Sequence, residues 1–150
     1  MKLEIYTDGA CSGNPGPAAI GVVIKNKEET IKEISQSIGP ATNNIAEYKA
    51  LICGLQEALK LKAEEVLVRT DSQLMYEQII GNYKVKHENI KPLFEEVKNL
   101  VTGFKQVEFK HVPREQNKEA DKLACQGLKT SQDGHPGTQG IGEESPSSKG

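Results

Sequence analysis

Tryptophan is absent from this 150-residue chain, and aromatic residues make up only 5% of it. The composition is lean, yet 36% hydrophobic residues suffice for a single domain with a buried core. No apolar run approaches the length of a membrane span, and no basic-then-apolar leader opens the chain. Neither sign of charge dominates: 19 basic against 21 acidic residues leave a formal charge of -2. That excludes the strongly basic class of nucleic-acid binder, while leaving room for a local basic patch. Cysteine is sparse and scattered, at Cys11, Cys53 and Cys125, with no CxxC pair. The spacing argues against a disulfide framework and against a structural zinc site, so a reducing cytoplasm is the expected setting.

Apolar residues also run out towards the C-terminus. Segment 129–150 (KTSQDGHPGTQGIGEESPSSKG) holds one aliphatic residue, Ile141, among glycines, serines and prolines. Such a stretch buries too little apolar surface to offset its ordering entropy. The folded domain is expected over 1–128 and a disordered tail over 129–150.

Within 1–128 the hydrophobic period changes from two to about 3.6. Residues 2–8, 18–26 and 29–38 read as strands with tight links, an antiparallel meander around the turn-rich segment GACSGNPGP. Residues 44–62 read as a helix, with Tyr48, Leu51, Ile52, Leu55 and Leu59 at three- and four-residue steps and Asn44 with Glu47 as a capping box. Then follow a strand over 64–70, helices over 71–80 and 89–101, a strand over 104–112, and a last helix led by Pro113. The order β-β-β-α-β-α-α-β-α requires a crossover after the meander, hence an α/β fold with a mixed sheet and helices packed on it.

Four acidic residues fall where this topology concentrates them. Asp8 ends the first strand and Asp71 the fourth, at the point where antiparallel pairing hands over to parallel crossovers. Glu47 shares a helical stripe with Ala50, Leu51, Gly54 and Ala58, whose small members permit close approach to the sheet. Asp121 lies on the last helix, with Asn117 and Cys125 one turn to either side. Each has a plain structural reading: turn aspartate, capping-box glutamate, helix N-cap, solvated helix residue. Brought together, the carboxylates would raise one another's pKa and suffer desolvation. Divalent metal relieves both, and an all-oxygen ligand set favours Mg²⁺ or Mn²⁺ over zinc. Two such ions about 4 Å apart can activate water and stabilise a leaving oxygen. Spacing alone does not identify the reaction.

Four segments resemble type 1 ribonuclease H, in that family's order: YTDGACSGNPGPAAIGVV with Asp8, TNNIAEYKAL with Glu47, VRTDSQLMYEQI with Asp71, and HVPREQNKEADKLA with Asp121. The resemblance spans residues 1–128. It implies a five-stranded mixed sheet of order 3-2-1-4-5 with helices on both faces. It also implies metal-dependent, two-ion hydrolysis of the RNA strand of an RNA–DNA hybrid, giving 3′-hydroxyl and 5′-phosphate ends. The acting form is expected to be a monomer. His111, ten residues before Asp121, matches the family's mobile-loop histidine and is expected to assist water activation or product release. Asn14, Asn44 and Gln73 match positions that meet the RNA strand in the minor groove, where amides suit base edges and 2′-hydroxyls. Thr42 and Asn43 match a pocket that grips a DNA phosphate.

The chain departs from the family in one region. Some relatives insert a helix rich in Lys, Arg and Trp where this sequence has only GNYKVKHEN. Grip on substrate then falls to Lys84, Lys86 and Lys91, with Tyr83 nearby; His87, where asparagine is common, would donate to the same phosphate less securely. Junction-cleaving and transposing nucleases of the same fold are a competing reading, disfavoured by the TNN and GNPG segments. A catalytically dead binding module is another, disfavoured because all four acids are present.

Overall fold

The computed structural model describes residues 1–132. Three antiparallel strands come first: β1 (Lys2–Cys11), β2 (Gly16–Asn26) and β3 (Glu29–Ala41). Then follow α1 (Asn43–Lys60), β4 (Glu65–Thr70), α2 (Gln73–Ile79), α3 (Lys91–Val101), β5 (Gln106–His111), a 3-10 turn (Arg114–Gln116) and α4 (Lys118–Gln132). The sheet order is β3-β2-β1-β4-β5, with β1–β4 and β4–β5 parallel. This is the expected mixed sheet, element for element.

Alternation along β1 assigns its two faces. Leu3, Ile5 and Thr7 are fully buried, and Ile5 and Thr7 lie beneath Gly54 of α1. α1 also packs on α3, so this side holds the main core, with Tyr48, Leu51, Leu55, Val66, Val68 and Val97. α4 covers the opposite face over β1, β2 and β3. It is tied there by Ser35, whose hydroxyl donates to the Leu123 carbonyl at 2.6 Å, and by the Lys25–Glu119 ion pair at 2.8 Å.

The boundaries differ from the expected ones in instructive places. β1 and β2 continue their ladder to Cys11↔Ala18, so the turn shrinks from nine residues to the four between Cys11 and Gly16. The turn-forming composition of GACSGNPGP conceals this, because glycine also permits extended pairing. α1 is capped by Thr42, whose Oγ1 accepts from the Ile45 N–H at 3.2 Å; the Asn44–Glu47 capping box does not form. Likewise Ser72, not Asp71, caps α2. Pro113 leads the 3-10 turn, and α4 begins only at Lys118. α4 runs on to Gln132, four residues past the boundary expected at 128. The remainder of the expected tail, 133–150, lies outside the described residues. Among those described, no helix is long and apolar enough to cross a membrane.

Candidate active site

The parallel pairing of β1 with β4 ends at Thr7↔Thr70, which sets Asp8 and Asp71, the next residues of each chain segment, side by side. Two glycines let helices reach this end of the sheet. A Cβ on Gly9 would lie 2.6 Å from the Glu47 nitrogen, so only glycine admits the first turns of α1. On the other face Gly21 pairs with Asp8, and a Cβ there would lie 2.1 Å from the Ala120 carbonyl oxygen; α4 therefore sits directly over the strand. Glu47 is freed from capping duty and instead accepts from the Gly9 N–H at 3.1 Å.

The result is a cluster in which Asp8, Glu47 and Asp71 each offer an oxygen within 4.8 Å of the other two. Asp121, on α4, is near enough to help raise the Asp8 carboxyl, but it is not one of the three residues whose oxygens converge. Asp8 is only 5% exposed. Burial, then the charges of Glu47 and Asp71, push its carboxyl up to about 9. Glu47 is pushed up to about 8, first by burial and then by Asp71, against the opposing Gly9 hydrogen bond and the positive charge of Arg114. Carboxyls so disfavoured as bare anions form an all-oxygen donor set that a hard divalent cation would satisfy.

The cluster floors a cleft of about 440 Å³ lined by Asp8, Gly9, Asn43, Glu47, Asp71, His111, Val112, Pro113 and Arg114. His111 stands exposed at the end of β5, its ring 5.8 Å from that of Tyr76. Arg114 is a residue that sequence reasoning passed over. Its signal was a lone basic residue just after Pro113, hidden because 113–128 read as one continuous helix.

A second cavity, of about 400 Å³, opens on the other side of the α1 N-terminus. Asn14, Thr42, Asn44, Ile45, Leu74, Gln78, Lys84, Lys86, His87 and Ile90 line it. The structure thus gathers Asn14, Thr42, Asn44, Lys86 and His87 in one place. Asn43 lines the acidic cleft instead, yet stays joined to this group: its backbone N–H donates to Asn14 Oδ1 at 2.9 Å. The Asn43 N–H is therefore not available to an anion in the second cavity. Gln73 is exposed at the start of α2 and lines neither cavity, and Lys91 likewise lies outside both. Gln78 joins unexpectedly, its Oε1 accepting from the buried Tyr48 hydroxyl at 2.8 Å.

Comparison with known proteins bears on this arrangement. A family model described as "Reverse transcriptase-like" matches residues 6–127. A bifunctional protein of Mycobacterium tuberculosis is 44% identical over 126 residues, which is 83% of this chain and 35% of that one. The chain thus spans about a third of that relative's length. The crystal structure of ribonuclease H1 from the archaeon Halobacterium salinarum superposes with a TM-score of 0.84 at 38% identity, covering 86% of this chain and 98% of that one. LC11-RNase H1, solved in complex with an RNA/DNA hybrid, superposes with a TM-score of 0.82 at 41% identity, covering 87% and 99%. With near-complete coverage of two solved ribonucleases H1 at about 40% identity, this chain belongs to the type 1 ribonuclease H family of nucleases.

Proposed function

We propose that residues 1–132 form an endoribonuclease that hydrolyses the RNA strand of RNA–DNA hybrids, leaving 3′-hydroxyl and 5′-phosphate ends. The observation that carries this reading is the convergence of Asp8, Glu47 and Asp71 oxygens within 4.8 Å at the topological switch of the sheet. The donor set fits Mg²⁺ or Mn²⁺: all candidate ligand atoms are oxygens, and none of the three carboxyls forms a salt bridge among the described residues. Asp8, Glu47, Asp71 and Asp121 would hold the metal, as two ions with substrate present. Such ions would lower the pKa of an attacking water and neutralise charge on the leaving oxygen.

This chain's own residues have separate tasks. Asp8 and Glu47 are fixed by strand and helix, so the cation position is set before substrate arrives. His111, at the cleft mouth, is placed to carry a proton between the reacting centre and solvent. Arg114 supplies a positive charge on the cleft wall and would pair with a phosphate of a bound strand. Lys84, Lys86 and His87, with Thr42 and Asn14, offer donors to backbone phosphates along the second cavity. Asn44, which lines the second cavity, would meet bases or 2′-hydroxyls there. The hybrid seen with LC11-RNase H1 supports the substrate class.

The test is incubation of the protein with Mg²⁺ and, separately, hybrid, duplex RNA, duplex DNA and a four-way junction. Cleavage of the hybrid is the expected result. Cleavage of the junction alone would overturn the reading.

A further inference from the structure

The fourth carboxylate has a support that the catalytic reading leaves unexplained. Asp121 sits on α4, an element that reaches the acid cluster from the opposite face of the sheet and begins only three residues earlier, at Lys118. The preceding 3-10 turn is exposed, and Ala120 is the one apolar residue buried in the first turn of this helix. Besides the Lys25–Glu119 ion pair, a buried polar side chain anchors it. Asn117 is 1% exposed, and its Nδ2 donates to the backbone carbonyl of Thr7 at 2.9 Å, a bond between residues 110 apart in sequence. Thr7 immediately precedes Asp8. The carbonyl of the same Asn117 accepts from the Asp121 N–H at 3.1 Å, the first intrahelical bond of that turn. One residue therefore holds the backbone beside Asp8 with its side chain and the backbone of Asp121 with its main chain.

We propose that Asn117 is the positioning residue of the metal centre, setting the separation of Asp121 from Asp8 by clamping the start of α4 to β1. The chemistry of its environment favours positioning over general stabilisation. Its Oδ1 is buried and has no hydrogen-bond partner among the described residues. A buried acceptor left unmatched is costly, and an apolar residue would avoid that cost. What the amide uniquely supplies is a donor aimed at Thr7. Groups that orient metal ligands without touching the metal commonly change affinity by about 10- to 100-fold when removed.

The inference rests on the proposed metal role of the acids, so its test reads metal binding directly. Mn²⁺ affinity is measured on the hybrid-free protein by electron paramagnetic resonance for wild type, Asn117→Ala, Asp121→Asn and the double variant. Asn117→Ser runs in parallel, because it keeps a polar group in the buried space should the alanine variant not fold. Asn117→Ala or Asn117→Ser is expected to weaken Mn²⁺ binding about 10-fold or more. In the Asp121→Asn background either is expected to add little, because the clamp acts through Asp121. On hybrid, kcat is expected to fall with KM little changed. Unaltered Mn²⁺ affinity, or a full additive loss in the double variant, would overturn the positioning role. A wild type that binds Mn²⁺ but leaves the hybrid uncut would instead defeat the proposed activity and leave this cycle decisive for Asn117.

Discussion

The two cavities flanking the first turn of α1 are built on opposite principles. The acidic cleft draws its groups from β1, the end of β4, α1 and β5, with Asp8 buried and Glu47 and Asp71 half-buried. Its geometry is stored in the sheet ladder and in the missing side chains of Gly9 and Gly21. The second cavity draws its charges from the segment between α2 and α3, where Lys84, Lys86 and His87 are all exposed. One region carries unfavourable charge that the fold enforces; the other carries favourable charge on long side chains near solvent. On the proposed function, chemistry that needs fixed distances falls to the first and adjustable grip on a polyanion to the second.

Substitutions separate the two regions most sharply. Asp71→Asn removes a ligand oxygen without changing shape, and is expected to lower kcat by more than about 100-fold while hybrid binding, measured by gel shift, stays largely intact. Lost binding with retained turnover in that variant would invert the division of labour.

Protonation gives the next largest effect. Asp8 ionises near 3.8 when unfolded and at about 9 when folded. Between those values the folded protein binds a proton that the unfolded chain does not, so stability of the metal-free protein falls as pH rises from about 4 to about 9. Glu47, raised to about 8, acts in the same direction. Thermal melts across that range with EDTA are expected to show the decline. Saturating Mg²⁺, which favours the ionised forms, is expected to flatten or reverse it, and an identical pH profile with and without Mg²⁺ would contradict the account.

For the second cavity, Lys84→Ala with Lys86→Ala is expected to raise KM, leave kcat nearly unchanged, and reduce the slope of log affinity against log salt by about 1 to 2. The smallest effect is the shared boundary itself. Thr42→Ala removes the α1 cap and is expected to cost about 1 kcal/mol, read as a melting temperature lower by a few degrees.

Much of this was legible beforehand because strand ends and helix stripes obey simple periods. The mixed α/β sheet and the meeting of Asp8, Glu47 and Asp71 follow from where they fall in that pattern, whereas the strand order and Asp121 as a fourth acid came from the family resemblance. What escaped depends on contacts that periodicity does not encode. Asn44 and Thr42 are both good caps two residues apart, and only the path of β3 into α1 decides for Thr42. Arg114 faces the cleft because the chain breaks into a 3-10 turn before α4, which a continuous helical pattern hides. The roles of Gly9 and Gly21 appear only when helices from opposite faces are docked. Gln73 remains outside both cavities because α2 starts with that side chain exposed.

The central claim is that acids from four separate elements act as one cation-dependent hydrolytic centre. It is tested most directly with a hybrid labelled on both strands, digested with Mg²⁺, with EDTA, and with EDTA followed by excess Mg²⁺. The expected result is cleavage confined to the RNA strand, lost in EDTA and restored by Mg²⁺. Cleavage that persists in EDTA, or an intact RNA strand in Mg²⁺ and Mn²⁺ alike, would contradict it.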